Sequence, residues 1–303
     1  TQIGQDIDGL LLGDSSGFTV SMSSDGSIVA IGAPYNSGNG DSSGHVRVYK
    51  NTSGTWTQIG DDIDGEEIDD YSGVSVSLSS DGSIVAIGAP FNDDNGQDSG
   101  HVRVYKNESG VWTQIGDDIE GEGAVDNSGS SVSLSSDGRV VAIGAAYNSG
   151  NGFYSGQVRI YKYEGGVWTQ VGLDIDGEFL YDYSGTSVSL SSDSNIVAIG
   201  PIGNSENNLY SGHVRIYDLS AVLSTESFNV DYFSMYPNPA QNQIEIKLKD
   251  NQKLKQINIY TTLGKYLYSE KSLNLDISNL SSGIYILEVE TNQGKSSKKI
   301  VKE

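Results

Sequence analysis

Polar and apolar residues alternate along short stretches of the chain, and the same stretches recur. In residues 75–78, Ser-Val-Ser-Leu places its apolar side chains on one face, the pattern of a half-buried strand. Asp81-Gly82 follows, a pair suited to the positive φ of a tight hairpin. Ile84-Val85-Ala86-Ile87-Gly88 is a continuous apolar run and predicts a strand buried on both faces. Pro90 ends it, because proline lacks the amide donor a ladder needs. Beyond a loop rich in Gly, Asn and Asp, His101-Val102-Arg103-Val104-Tyr105 alternates again. After Ser109-Gly110, Trp112-Thr113-Gln114-Ile115 predicts a fourth strand. The apolar period of an amphipathic helix is lacking, and no apolar run approaches the ~20 residues of a membrane-crossing helix.

This unit repeats every 56 residues, as Trp56, Trp112 and Trp168 show. His45, His101, Gln157 and His213 keep the same period, as do Tyr49, Tyr105, Tyr161 and Tyr217. Four copies fill residues 1–218. Four-stranded units at a fixed period predict an all-β fold, a β-propeller, with a solenoid as the alternative. Residues 1–4 repeat the fourth strand and residues 213–217 supply a third, so the N-terminal strand is expected to complete the last blade. The chain begins inside a repeat and without Met, and is read as a mature form or a fragment whose export signal lies outside the numbering.

The repeat is lost over residues 219–232, which read as a linker. Residues 233–303 show a different pattern. Alternating runs at Ile244–Leu248 and Ile257–Tyr260, a turn at Leu263-Gly264-Lys265, and Gly283-Ile284-Tyr285-Ile286-Leu287-Glu288-Val289 predict a small Ig-like β-sandwich. Charge marks the same boundary. Residues 1–232 hold 8 Lys/Arg against 33 Asp/Glu, whereas residues 233–303 hold 10 against 7. A part so acidic repels nucleic acid and anionic membranes, so neither is an expected partner.

Two resemblances follow from these motifs. Ser72-Gly73-Val74-Ser75-Val76-Ser77, Ile87-Gly88-Ala89-Pro90 and Gly100-His101-Val102-Arg103-Val104-Tyr105, with their equivalents over residues 1–218, resemble the FG-GAP repeats of integrin-α-like propellers. The fourth copy departs from the pattern at Gly200-Pro201-Ile202. That family often binds calcium in an Asp-rich loop between the first two strands. Here the loop is only Ser79–Gly82, too short to surround an ion. Residues 233–303 resemble the type A sorting domain of type IX secretion substrates of Bacteroidota. The resemblance rests on Tyr236-Pro237-Asn238-Pro239, on Gly283-Ile284-Tyr285, and on the end Lys298-Lys299-Ile300-Val301-Lys302. It implies passage across the outer membrane by the type IX secretion machinery, removal by a sortase-like peptidase, and a secreted or cell-surface protein.

Candidate chemistry is sparse. There is no cysteine, which excludes disulfides and thiolate metal sites. The histidines fall on separate copies, so a structural role is expected for them. Arg47, Arg103, Arg159 and Arg215 read either as a basic ring for acidic sugars or, preferably, as partners of Asp residues between blades. The pairs Asp6/Asp8, Asp62/Asp64, Asp118/Glu120 and Asp174/Asp176 form half of a calcium-loop pattern. Solvated turns explain them as well, so calcium is a weak expectation and no other cofactor is implied. A second partial match, Asn92-Asp93-Asp94-Asn95-Gly96-Gln97-Asp98, occurs in full once. Tyr35, Phe91 and Tyr147 follow the second strand and are candidates for a ligand-binding rim.

No nucleophile elbow or phosphate loop is present, and the copies are nearly identical, so enzymatic activity is not expected. Three readings remain: a binding or adhesion module for a glycan or protein, a polysaccharide-active enzyme, and a structural surface repeat. The first is preferred.

Overall fold

Each repeat folds as an antiparallel sheet in the computed structural model, which describes residues 1–223, 233–248, 253–261, 266–291 and 295–302. In the first repeat β1 (Thr19–Met22), β2 (Ile28–Ala33) and β3 (His45–Thr52) pair in order. The outer edge of β3 is shared. β4 (Thr55–Gln58) pairs with its C-terminal half and β5 (Ile63–Asp64) with its N-terminal half. The outer strand of the blade is therefore split in two.

The second repeat has the same plan with β6 (Ser75–Leu78), β7 (Ile84–Ala89), β8 (His101–Glu108), β9 (Val111–Gln114) and β10 (Ile119–Glu120). So does the third, with β11 (Ser128–Leu134), β12 (Val140–Ala145), β13 (Gln157–Glu164), β14 (Val167–Gln170) and β15 (Ile175–Asp176). The fourth has three strands, β16 (Ser187–Leu190), β17 (Ile196–Gly200) and β18 (Arg215–Asp218).

The turn between the first two strands of each blade is held by its own aspartate. Asp81 Oδ1 accepts from the Ser83 amide at 2.9 Å, from Ser83 Oγ at 2.8 Å and from Ser79 Oγ at 2.7 Å. Asp25 and Asp193 are held in the same way. Hydrogen bonds to an ionised carboxylate favour that form. The Ser27 amide, then the Ser27 and Ser23 hydroxyls, lower Asp25 to about 2. At Asp81 burial pushes the other way, but the serine donors together outweigh it and the pKa is lowered. The Ser191 hydroxyl, followed by the Asn195 donors, lowers Asp193.

A carboxylate with a depressed folded-state pKa stabilises the fold in full above its unfolded pKa, and that stability is lost as pH falls through the folded value. The repeats should therefore lose melting temperature in acid from about pH 4 down towards pH 2. An Asp81→Asn variant should show a shallower acid slope in thermal melts at stepped pH. Identical slopes would show that the turn carboxylate is not linked to folding.

Successive blades pack face to face, with their first strands side by side, which makes those strands innermost, as in a β-propeller. The contact is close because glycine meets glycine. A Cβ on Gly88 would lie 2.1 Å from the Gly129 carbonyl oxygen of the next blade. Gly32 faces Gly73, and Gly144 faces Gly185, in the same way. Hydroxyls close each junction: Thr19, Ser75 and Ser131 donate to the carbonyls of Gly73, Gly129 and Gly185 at 2.7–2.8 Å. Apolar side chains fill the rest, as where Ala86, Val102 and Val104 meet Val132, Leu134 and Ile143.

The four blades do not close on one another. Val158 is fully buried, whereas Val214, one period later, is 67% exposed. Val20 and Met22 on the first blade are exposed too.

The expected closure by residues 1–4 does not occur. Trp56 Nε1 donates to the Ile3 carbonyl at 2.9 Å, and Arg47 Nη2 to the Asp8 carbonyl at 2.9 Å. These are the contacts by which Trp112 and Arg103 hold Ile59 and Asp64. The N-terminal segment thus lies against the first blade as a preceding outer strand, and β18 keeps an unpaired edge.

The contacts divide the chain between Leu223 and Ser224. The first residues of the expected linker belong to the repeats. Leu219 is buried against the fourth blade and leads into the short α1 (Ser220–Leu223). Residues 224–232 lie outside the described residues, as does the expected turn at Leu263-Gly264-Lys265.

The C-terminal unit is a sandwich of two sheets. One has the order β19 (Phe233–Tyr236), β20 (Gln243–Leu248), β23 (Asn274–Asp276). The other runs β22 (Tyr266–Glu270), β21 (Leu254–Thr261), β24 (Gly283–Thr291), β25 (Lys295–Lys302). Phe233, Ile244, Ile246, Ile257, Ile259 and Leu287 are among the buried residues between them. β19 is an edge strand and stops where Pro237 begins, as the missing amide requires. Asn238 then joins the sheets: its side chain donates to the Lys299 carbonyl at 3.0 Å and accepts from the Val301 amide at 2.8 Å.

Candidate functional site

Tyr35, Phe91 and Tyr147 leave the ends of β2, β7 and β12 at one edge of the repeats, and all three are exposed. Tyr71 bridges the first two, with ring centroids 5.3 Å from Tyr35 and 5.1 Å from Phe91. Phe18 extends this row beyond Tyr35. One blade on, Asn127 stands where Tyr71 would be, and its amide donates to the Pro90 carbonyl at 2.8 Å, which interrupts the row. The row resumes at Tyr147, whose ring meets Tyr183 at 5.5 Å and Tyr154 at 5.2 Å, with Phe153 and Tyr181 beside them. Tyr35, Phe91 and Tyr147 stood out in the sequence by their shared place after the second strand. Tyr71 and Tyr183 did not, because they stand before the first strands rather than after the second.

The acidic pairs are not turns. Asp64, Glu120 and Asp176 lie in the split outer strands, opposite His45, His101 and Gln157. The first acid of each pair accepts from a glutamine four residues earlier. Gln2 donates to Asp6 at 2.8 Å, Gln58 to Asp62 at 2.7 Å and Gln170 to Asp174 at 2.6 Å, and Gln114 does the same to Asp118. The second residue of each pair offers its carbonyl to the arginine of the next repeat. Arg47, Arg103, Arg159 and Arg215 reach Asp8, Asp64, Glu120 and Asp176 at 2.6–2.9 Å.

The expected arginine–aspartate ion pairs are replaced by this backbone contact. The charge partners are glutamates, with Glu66 at 3.2 Å from Arg103, Glu122 at 3.9 Å from Arg159 and Glu178 at 3.8 Å from Arg215. Each arginine also stands over the tyrosine two residues on, at 5.0–5.6 Å. The arginines fasten blades together instead of forming an open basic ring.

Calcium of the kind the FG-GAP resemblance implies does not fit the first hairpin, where serine hydroxyls and an amide occupy the Asp81 carboxylate. The pairs Asp6/Asp8 and Asp174/Asp176 stay on their own repeats and converge with no further acid in the metal-sized groups found among the described residues.

The histidines also stay on separate blades, but two of them gather carboxylates. His45 stands with Asp62 and Asp64, its Nδ1 3.4 Å from Asp62 Oδ2. His101 stands with Glu66, Asp94 and Asp118. Burial, reinforced by Arg103 against the pull of Asp118, holds His101 below the usual histidine range, so its ring is neutral. Burial lowers His45 likewise, against the pull of Asp62. Next to the second group, burial and then Asp118, Asp94 and Glu66 push Glu120 up to about 7.

Comparison with known proteins agrees with both motif readings. Residues 63–105 match the FG-GAP repeat family, and residues 234–303 match the family described as a secretion system C-terminal sorting domain. The chain therefore carries FG-GAP propeller repeats followed by a sorting domain that directs export through the type IX machinery to the secreted or cell-surface state. No curated protein matches it.

Among solved structures it is similar to a protein assigned as TolB from Agrobacterium tumefaciens, at 9% identity and a TM-score of 0.41, covering 92% of this chain and 78% of that one. It is similar to a GH74 enzyme of Niastella koreensis, at 13% identity and a TM-score of 0.41, covering 95% of this chain and 38% of that one. A prolyl endopeptidase matches at 11% identity and a TM-score of 0.39, covering 93% of this chain and 42% of that one. The chain thus spans less than half the length of these two enzymes. These likenesses assign no activity.

Proposed function

We propose that the repeats serve as an extracellular binding platform, without catalytic activity of their own, and that the ligand, a surface glycan or a protein, rests on the aromatic rim. The observation that carries this reading is the row of rings in which exposed Phe18, Tyr35 and Phe91 are joined by half-buried Tyr71, resumed at exposed Tyr147 and half-buried Tyr183. Rings recurring along one edge of the repeats present flat apolar faces, several with hydroxyl edges, which suit stacking on sugar rings or aromatic side chains. Export by the sorting domain puts that rim outside the cell. Removal of residues 233–303 by a sortase-like peptidase would leave the platform intact, because the sorting unit has a core of its own.

A glycan array probed with the purified full chain tests the reading. Tyr71→Ala combined with Tyr183→Ala removes two rings, each worth about 0.5–1.5 kcal/mol, so bound signals should fall about tenfold while the melting temperature changes little. An array without signal, or a signal that the double variant retains, would count against a glycan-binding rim.

A further inference from the structure

His101 is fully buried on β8, yet neither of its ring nitrogens has a hydrogen-bond partner. A buried polar group left unpartnered is costly, and what faces this one is acidic. Its Nδ1 lies 3.7 Å from Asp118 Oδ2. One ligand atom from each of Glu66, Asp94, His101 and Asp118 lies within 4.8 Å of each of the others. The Gln114 amide holds the other Asp118 oxygen, Oδ1, which fixes Oδ2 on the histidine side.

We propose that Glu66, Asp94, His101 and Asp118 bind one divalent first-row transition-metal ion, of the zinc or manganese type, on the second blade. Ligands bonded at ~2.0–2.1 Å in a tetrahedron sit about 3.3 Å apart. Closure on an ion therefore needs about an ångström of contraction, and the exposed Glu66 and Asp94 side chains have room to supply it. Asp94 and Asp118, and Glu66 through a carboxylate that it shares with Arg103 at 3.2 Å, become its ligands. The imidazole nitrogen selects against calcium, which takes oxygen ligands. This goes beyond the binding role of the rim and does not depend on it.

The repeats supply their own controls. The third carries Gly150 and Gln157 where the second has Asp94 and His101, and its strands form equally. The first has His45 and Asp62 but carries Leu10 and Gly38 in place of Glu66 and Asp94. Four ligands meet in the second repeat because it departs from its neighbours there.

Titration of the full chain with Co²⁺, followed by its visible ligand-field bands and then by displacement with Zn²⁺, tests the site. One equivalent should bind saturably. Asp94→Gly and His101→Gln, each a residue the third repeat already tolerates at that place, should each weaken Co²⁺ binding at least tenfold and keep the far-ultraviolet circular dichroism of the parent. Absence of saturable binding, or binding that both variants retain, overturns the proposal. So does a calcium affinity equal to that for zinc and unchanged by His101→Gln.

Discussion

Gly88→Val should destabilise the repeats by about 3 kcal/mol, a fall in melting temperature of about 6–12 °C for a unit of this size. The reason is the distance between blades. A Cβ at Gly88 would stand 2.1 Å from the Gly129 carbonyl oxygen and 2.9 Å from its carbonyl carbon. Both are backbone atoms of the next blade, so no rotamer relieves the clash. The junction must open, and the Ser75 hydroxyl then loses the same carbonyl at 2.7 Å. Gly200 occupies the same place in the fourth blade, where the nearest atom to a new Cβ is the Ser187 hydroxyl, a side chain that can turn away. Gly200→Val should therefore cost much less. Thermal melts of the two variants side by side decide the matter, and equal losses would show that these glycines do not act through blade packing.

Deleting residues 233–303 should retain the protein in the periplasm of a type IX-competent host, and fusing them to an unrelated folded cargo should carry that cargo to the surface or the medium. The sorting unit has its own two sheets and its own buried core of Phe233, Ile244, Ile257 and Leu287. It meets the requirements of a part that folds alone. Cell fractionation of the deleted form and of the fusion gives the result. A deleted form that still reached the surface at normal levels would reduce these residues to an ordinary accessory sandwich. This unit carries a net positive balance where the repeats are strongly acidic.

The strands were legible because period-2 alternation and the Asp-Gly turns are local. Ile84–Ala89 and its equivalents formed where the apolar run placed them. What the sequence hid were contacts between segments far apart in the chain. Asp62-Ile63-Asp64-Gly65 looks like a polar turn, but Ile63 is buried and pairs with Val46, which draws the acids into the sheet edge. Arginine near many aspartates suggests ion pairs, whereas the guanidinium reaches a carbonyl 39 residues earlier. The cluster around His101 was hidden for the same reason. Glu66, Asp94 and Asp118 come from three separate segments, and the β8–β10 pairing sets the third beside the histidine. Asp118 and Asp94 stood out beforehand, each in a separate partial calcium-loop match, and nothing in their spacing joined them to His101.

Every blade junction uses the same groups, a glycine against a glycine carbonyl with a hydroxyl across it. When neighbours interact only through such shared contacts, the stability of the array is close to a sum over units and junctions. An in-frame loss or gain of 56 residues between equivalent points then joins an ordinary trailing face to an ordinary leading face, and no unfamiliar surface is created. Drift in copy number would then be structurally neutral. Such drift would shorten or lengthen the aromatic rim in steps of one blade. A bacterium would thereby vary the reach of its surface protein by changing copy number, with each new length already compatible with folding.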